Sequence, residues 1–373
     1  MGLTARGLLL SALFLSFSMA NIHGAAADSR FQSYWTVEEY LALNQDQISK
    51  SEEFGNRVQT PPISEIDVGK VIKIVMVLPG FQVSDYWRRS IVSMERRLAE
   101  YGAVYELQTH FTRPGEVFRE QSKKLTEFLS EKPDYVVFTL NADQHRVLIK
   151  QLIKHKSSKV ILQNITTPLK VFRLQQPFLY VGFDHVTGTE YLAEQYLKKF
   201  KDGATFAIMF GEKGYVSDMR CGRFQEIMAE HENMELVSSY HVGFNREKAY
   251  LATKDVLKTS GKLDFIFSCS TDIALGVVDA LKETGRLGQV ITNGWGGGDS
   301  ELLAIEKGEL EFTVMRMNDD NGVAMAEAII LDSIGKGAEL PTVYSGSMII
   351  VDQTTTQRQI SELRQRAFRY SEN

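Results

Sequence analysis

Cysteine is almost missing from this chain: Cys221 and Cys269 are the only two in 373 residues, too few for a disulfide framework. In an oxidising compartment the two could pair, and free buried thiols are the alternative reading. Beyond the N-terminus no apolar run approaches the ~20 residues needed to cross roughly 30 Å of hydrocarbon, so the mature chain is expected to be soluble. A basic excess is lacking too. The formal charge is -5, which gives no electrostatic reason to bind nucleic acid. Signatures of catalysis are also wanting. No Gly-x-Gly-x-x-Gly follows a strand, and there is no Gly-x-x-x-x-Gly-Lys, Gly-x-Ser-x-Gly or His-Glu-x-x-His. The seven histidines are scattered, so neither a metal cluster nor an enzyme is expected.

What is present begins with a targeting pattern. Arg6 is followed by an apolar run from Leu8 to Phe17 and then by small residues ending at Ala25-Ala26-Ala27. This is the order of a cleavable secretory signal, cut after Ala27 or, at a second small-x-small site, after Ala20. Removing residues 1–27 deletes one arginine and no acid, taking the charge from -5 to -6. With 43% hydrophobic and 24% charged residues the remainder is ordinary globular material, and its length favours two domains.

Residues 28–70 read as a preamble, with helical spacing from Trp35 to Leu43 and a stiff Gln59-Thr60-Pro61-Pro62 segment. From Val71 the pattern becomes regular. Val71–Leu78 is a β-branched apolar run of the kind buried on both faces of a sheet. Similar runs fall at 135–140, 160–163, 178–181, 206–210, 265–267 and 290–292, and helical stretches separate most of them, including 85–101, 218–232, 246–259 and 272–284. Strands alternating with helices predict parallel sheets built from right-handed crossovers, and there are too many strands for one ordinary sheet. The fold class is therefore α/β, with two doubly wound lobes.

Ligands of such sheets sit beyond the carboxyl ends of the strands. The first run is followed by Gln82, Ser84 and Trp87, the 160–163 run by Asn164, and the 206–210 run by a segment carrying Arg220. Thr271 and Asp272 follow the 265–267 run, Trp295 stands among the glycines after 290–292, and Arg316 ends the 312–315 run. Singly, each has a bland explanation: a helix cap, a surface ion pair, a packed indole. Together they place two guanidinium groups against one carboxylate, leaving about one positive charge to be met by an anionic or strongly polarised guest. Arginine suits that task because its planar fork holds two oxygens at once.

The strand ends resemble those of ribose-type periplasmic binding proteins. A narrower likeness lies in Gly80–Trp87, Phe111–Pro114, Leu162–Pro168, Tyr180–His185, Cys269–Asp272, Asn293–Gly298, Val314–Asp320 and Arg366–Ser371. These runs look like the LuxP family of periplasmic autoinducer-2 receptors, from about Tyr34 to the end. The resemblance implies a type I periplasmic binding protein fold. Residues 71–183 plus 317–343 would form one lobe and 184–316 plus 344–373 the other. A multi-strand hinge would join them, crossing near Phe183, Arg316 and Tyr344. It implies a boron-containing ligand and no cofactor: autoinducer-2 as its furanosyl borate diester, held by Gln82, Ser84, Trp87, Asn164, Arg220, Thr271, Asp272, Trp295 and Arg316. It also implies a partner, the periplasmic domain of the membrane sensor kinase LuxQ. The alternative is a transporter's substrate-binding protein for a pentose or unborated furanose, which would need no positive cleft.

Overall fold

In the computed structural model, which describes residues 32–62, 66–80, 82–112, 118–140, 145–155, 157–173 and 175–372, the first apolar run is a strand buried from both sides. Ile74, Met76 and Leu78 pack with Met94, Leu98 and Val323, while Val75 and Val77 face Leu125, Phe128 and Ile149. Period-two alternation accounts for this, because successive side chains leave opposite faces of a strand. The signal pattern at 1–27 lies outside the described residues.

Among the described residues twelve strands occur in order: β1 (Ile72–Pro79), β2 (Tyr105–Thr112), β3 (Tyr135–Thr139), β4 (Lys159–Gln163), β5 (Leu179–Gly182), β6 (Ala204–Phe210), β7 (Met234–His241), β8 (Phe265–Ser268), β9 (Ile291–Gly296), β10 (Phe312–Arg316), β11 (Val343–Ser345) and β12 (Met348–Asp352). They form two six-stranded sheets, ordered β11-β5-β4-β3-β1-β2 and β12-β10-β9-β8-β6-β7. The two α/β lobes thus repeat one doubly wound plan. In each, the order reverses at one place, between β1 and β3 and between β6 and β8, and ligand crevices open at such a switch point. A departure from the expected parallel sheets is β12, which runs antiparallel to β10. The sequence patterns did not reveal β12, nor β2 and β7. Both are edge strands that alternate between covered and open positions, so neither carries a continuous apolar run.

The chain passes between the sheets three times: after β5 at Phe183–Asp184, after β10 at Met317–Asn318, and between β11 and β12 at Gly346–Ser347. The helix Asp319–Ser333 returns to the first lobe and lies close along Tyr86–Glu100. A Cβ on Gly322 would stand 2.0 Å from Ser93 Oγ and 2.2 Å from the Ser90 carbonyl. Residues of the predicted preamble are folded onto the first lobe. The helix Asp46–Gln59 puts Phe54 and Val58 into its core, and Arg57, Arg97 and Tyr101 surround the buried carboxylate of Glu327. No helix among the described residues is long and apolar enough to cross a membrane.

The predicted helix over 218–232 is broken in two. Asp218–Gly222 takes a wider π turn, and an α-helix resumes at Arg223–Ala229. π turns often mark functional sites. Here Cys221 is joined by a disulfide to Cys269, just beyond β8, with a Cα–Cα distance of 5.7 Å and a sequence separation of 48. The structure pairs the two cysteines, the first of the two readings the sequence left open. The bond ties the π turn to the end of β8, and a loop of this length contributes about 3–4 kcal/mol in the chain-entropy account.

Replacing both cysteines by alanine is therefore expected to lower unfolding free energy by about 3 kcal/mol, measured in denaturant. Free thiols at both positions in the oxidised native protein would contradict the pairing. Gly322→Ala should destabilise by about 1–3 kcal/mol through overpacking, and an unchanged denaturation midpoint would show that the two helices are not in close approach.

Candidate functional site

The loop after β1 leads into the helix Tyr86–Glu100 and delivers Gln82, Ser84 and Trp87 to one wall of a cleft. Trp87 donates from Nε1 to Gln82 Oε1 at 3.2 Å, which orients the amide. Asp85 precedes this helix without capping it through its side chain and instead pairs with Arg89 at 2.6 Å. Asn164 follows β4 with φ +67, a left-handed conformation that asparagine tolerates better than most residues. Its side-chain Oδ1 is buried without a hydrogen-bond partner.

The opposite wall comes from the second lobe. Ser270 caps the helix Thr271–Glu283 by accepting from Ile273 N, which places Thr271 and Asp272 in its first turn. Asp272 accepts the Val83 N–H at 2.9 Å and the Ser84 N–H at 3.5 Å, so its carboxylate bridges the lobes across the cleft. Burial pushes its pKa up, against the pull of those two N–H groups. Trp295 sits in β9 with its indole N–H buried and unpartnered. The glycines around it serve close packing: a Cβ on Gly296 would stand 2.7 Å from an Arg316 terminal nitrogen.

Arg220 and Arg316 are 4% and 5% exposed, and among the described residues neither forms an ion pair. Arg220 lies over the Trp295 ring at 3.7 Å and donates to His185 Nδ1 and to the Cys269 carbonyl, each at 2.9 Å. Arg316 lies over Tyr86 at 4.3 Å and within 6.0 Å of Trp295, and its Nε–H has no acceptor. Burial, and then the charge of Arg316, press Arg220 well below the ordinary arginine range, and burial lowers Arg316. Cation–π contact with aromatic faces offsets part of that cost. The cleft thus holds two positive groups with no direct counterion, together with an unused amide oxygen and an unused indole N–H.

All nine residues singled out from the sequence line this one cleft, together with Tyr86, Val216, Phe244 and Ser270. Two residues behind the wall escaped sequence reasoning. Glu301 is fully buried and accepts from Trp295 N at 2.9 Å, Gly297 N at 2.7 Å and Thr313 Oγ1 at 2.5 Å. It amends the charge count made from sequence: a second carboxylate attracts both arginines, but it is tied to other donors and pairs directly with neither. His185 joins Arg220 to the Asn164 carbonyl, and only its place just after a strand end could have flagged it. Among the described residues no group of three His, Cys, Asp or Glu side chains stands together to hold a metal.

Residues 74–336 match the model of the periplasmic binding protein domain. The ribose import binding protein RbsB of Salmonella typhimurium is 24% identical over 173 residues, which is 46% of this chain and 57% of the relative, so the chain spans little more than half its length. An ABC transporter periplasmic solute binding protein from Actinobacillus succinogenes 130z, solved with bound D-allose, superposes with a TM-score of 0.67 at 18% identity, covering 78% of this chain and 99% of that one. A chain of the XylFII–LytSN complex superposes with a TM-score of 0.65 at 17% identity, covering 77% and 100%. At such identities the solved structures share the fold, whereas the domain match extends over more than half of the sequence. The chain belongs to the periplasmic binding protein family.

Proposed function

We propose that this protein is a periplasmic receptor for autoinducer-2, bound in the inter-lobe cleft as its furanosyl borate diester. One observation carries the reading: Arg220 and Arg316 are buried at the same cleft without a carboxylate partner. A tetrahedral borate diester brings one negative charge and several oxygens, and guanidinium forks suit such a group. Asn164 Oδ1 and the Trp295 N–H stand unpaired for hydroxyl or ring oxygens. Asp272 and Gln82 retain lone pairs for further hydroxyls, and the indoles form flat walls.

The protein binds rather than transforms its ligand in this reading. Three crossing segments allow the lobes to hinge, and Asp272 joins them when they meet. A ligand favouring the closed form shifts that equilibrium, and a membrane sensor kinase of the LuxQ type would read the change. The structural neighbour from the XylFII–LytSN complex, also one component of a two-protein assembly, makes such a partner reasonable. Export by the N-terminal signal would place the receptor in the periplasm.

A second reading has its own support. The relatives named for ribose and D-allose favour a transporter's substrate-binding protein for a neutral sugar, such as a pentose or unborated furanose. The two arginines separate these readings, since a neutral sugar leaves their charge unmet.

Calorimetry with the furanone precursor, with and without borate, decides between them. Affinity should rise markedly when borate is present, and equal affinity would reject the borate ester. Arg220→Ala and Arg316→Ala should each weaken binding about tenfold or more, the scale of a lost charged hydrogen bond, with circular dichroism unchanged. Full affinity in both variants would refute the charge argument. Chemical alteration of the ligand during long incubation would instead reveal an enzyme.

A further inference from the structure

His185 is wholly buried at the point where the chain leaves β5 for the second lobe, in the first turn of the helix His185–Lys199. Asp184 caps that helix by accepting from Val186 N at 3.0 Å, which fixes the imidazole at the hinge. The ring lies beside Trp295 and Tyr215, with centroids at 5.2 and 5.5 Å. Both nitrogens are used. Nε2 stands 3.0 Å from the Asn164 carbonyl, which can only accept, so Nε2 carries the hydrogen. Nδ1 stands 2.9 Å from Arg220 Nε, which can only donate, so Nδ1 offers its lone pair. The two partners therefore fix a neutral imidazole in one tautomer.

We propose that His185 is the positioning residue of the cleft. By donating to Asn164 of one lobe and accepting from Arg220 of the other, it sets the Arg220 guanidinium plane and the lobe angle at which the ligand is held. The inference rests on the reading of this cleft as an anion site and adds to it a residue that does not line the cleft. With Nε on His185 and one terminal nitrogen on the Cys269 carbonyl, the remaining N–H groups of Arg220 are left for a guest in a defined direction. An imidazolium here would lose its acceptor and face the charges of Arg220 and Arg316. Burial, followed by Arg220, accordingly presses the His185 pKa well below the ordinary histidine range.

The test combines a spectroscopic and a binding measurement on the full mature chain. Nitrogen-15 NMR should show His185 protonated on Nε2, with a scalar coupling across the hydrogen bond from Arg220 Nε to His185 Nδ1. An Nδ1–H tautomer, or no coupling, overturns the proposal whatever the ligand proves to be. With the furanone precursor and borate as probe, His185→Gln should weaken binding about tenfold, as expected on losing an acceptor for a charged donor. His185→Asn carries an oxygen near the position of Nδ1 and should retain most of the affinity. Equal affinity of wild type and both variants overturns the proposal. If wild type itself ignores the borated probe, the anion reading fails, and the coupling measurement still decides the role of His185.

Discussion

Two guanidinium groups enclosed without a counterion form the constraint around which the rest of this molecule is arranged. Burying an ion costs several kcal/mol even after relaxation, so its surroundings must hold it in place. Trp295 offers its ring face to Arg220, and Tyr86 offers its own to Arg316. Gly296 carries no Cβ where Arg316 packs. Glu301 holds the β9 backbone by accepting the Trp295 N–H, and the Cys221–Cys269 disulfide anchors the π turn that carries Arg220. These features lie far apart in sequence and meet at one cleft.

The same constraint links binding to motion. The arginines belong to the second lobe's sheet and its connections, whereas Gln82, Ser84, Trp87 and Asn164 come from the first. A guest touching both sets favours contact between the lobes, and the coupling is no larger than its preference for that state. Asp272 and the Arg89–Asp299 pair already span the gap.

Much of this was legible in the sequence because doubly wound sheets put their ligands at the carboxyl ends of strands. The residues singled out beyond the ends of the apolar runs are nine of the thirteen that line the cleft. The central strands were visible for the same reason that they are buried on both faces. Edge strands β2 and β7 were not, since half of each faces outward. The π turn was hidden because Asp218–Gly222 lies within a longer stretch, 218–232, that reads as one continuous helix. Pairing of Cys221 with Cys269 depended on that turn's position. Glu301 and His185 act from behind the wall. Their roles arise from hydrogen bonds to distant backbone and side chains, and no local pattern encodes those.

The most direct measurement is a crystal structure of the protein purified from borate-containing medium with the furanone precursor. The account predicts a tetrahedral boron centre in the cleft, with oxygens in hydrogen-bonding reach of both Arg220 and Arg316. A neutral sugar in the same place, or either guanidinium turned away from the ligand toward a surface carboxylate, would contradict it.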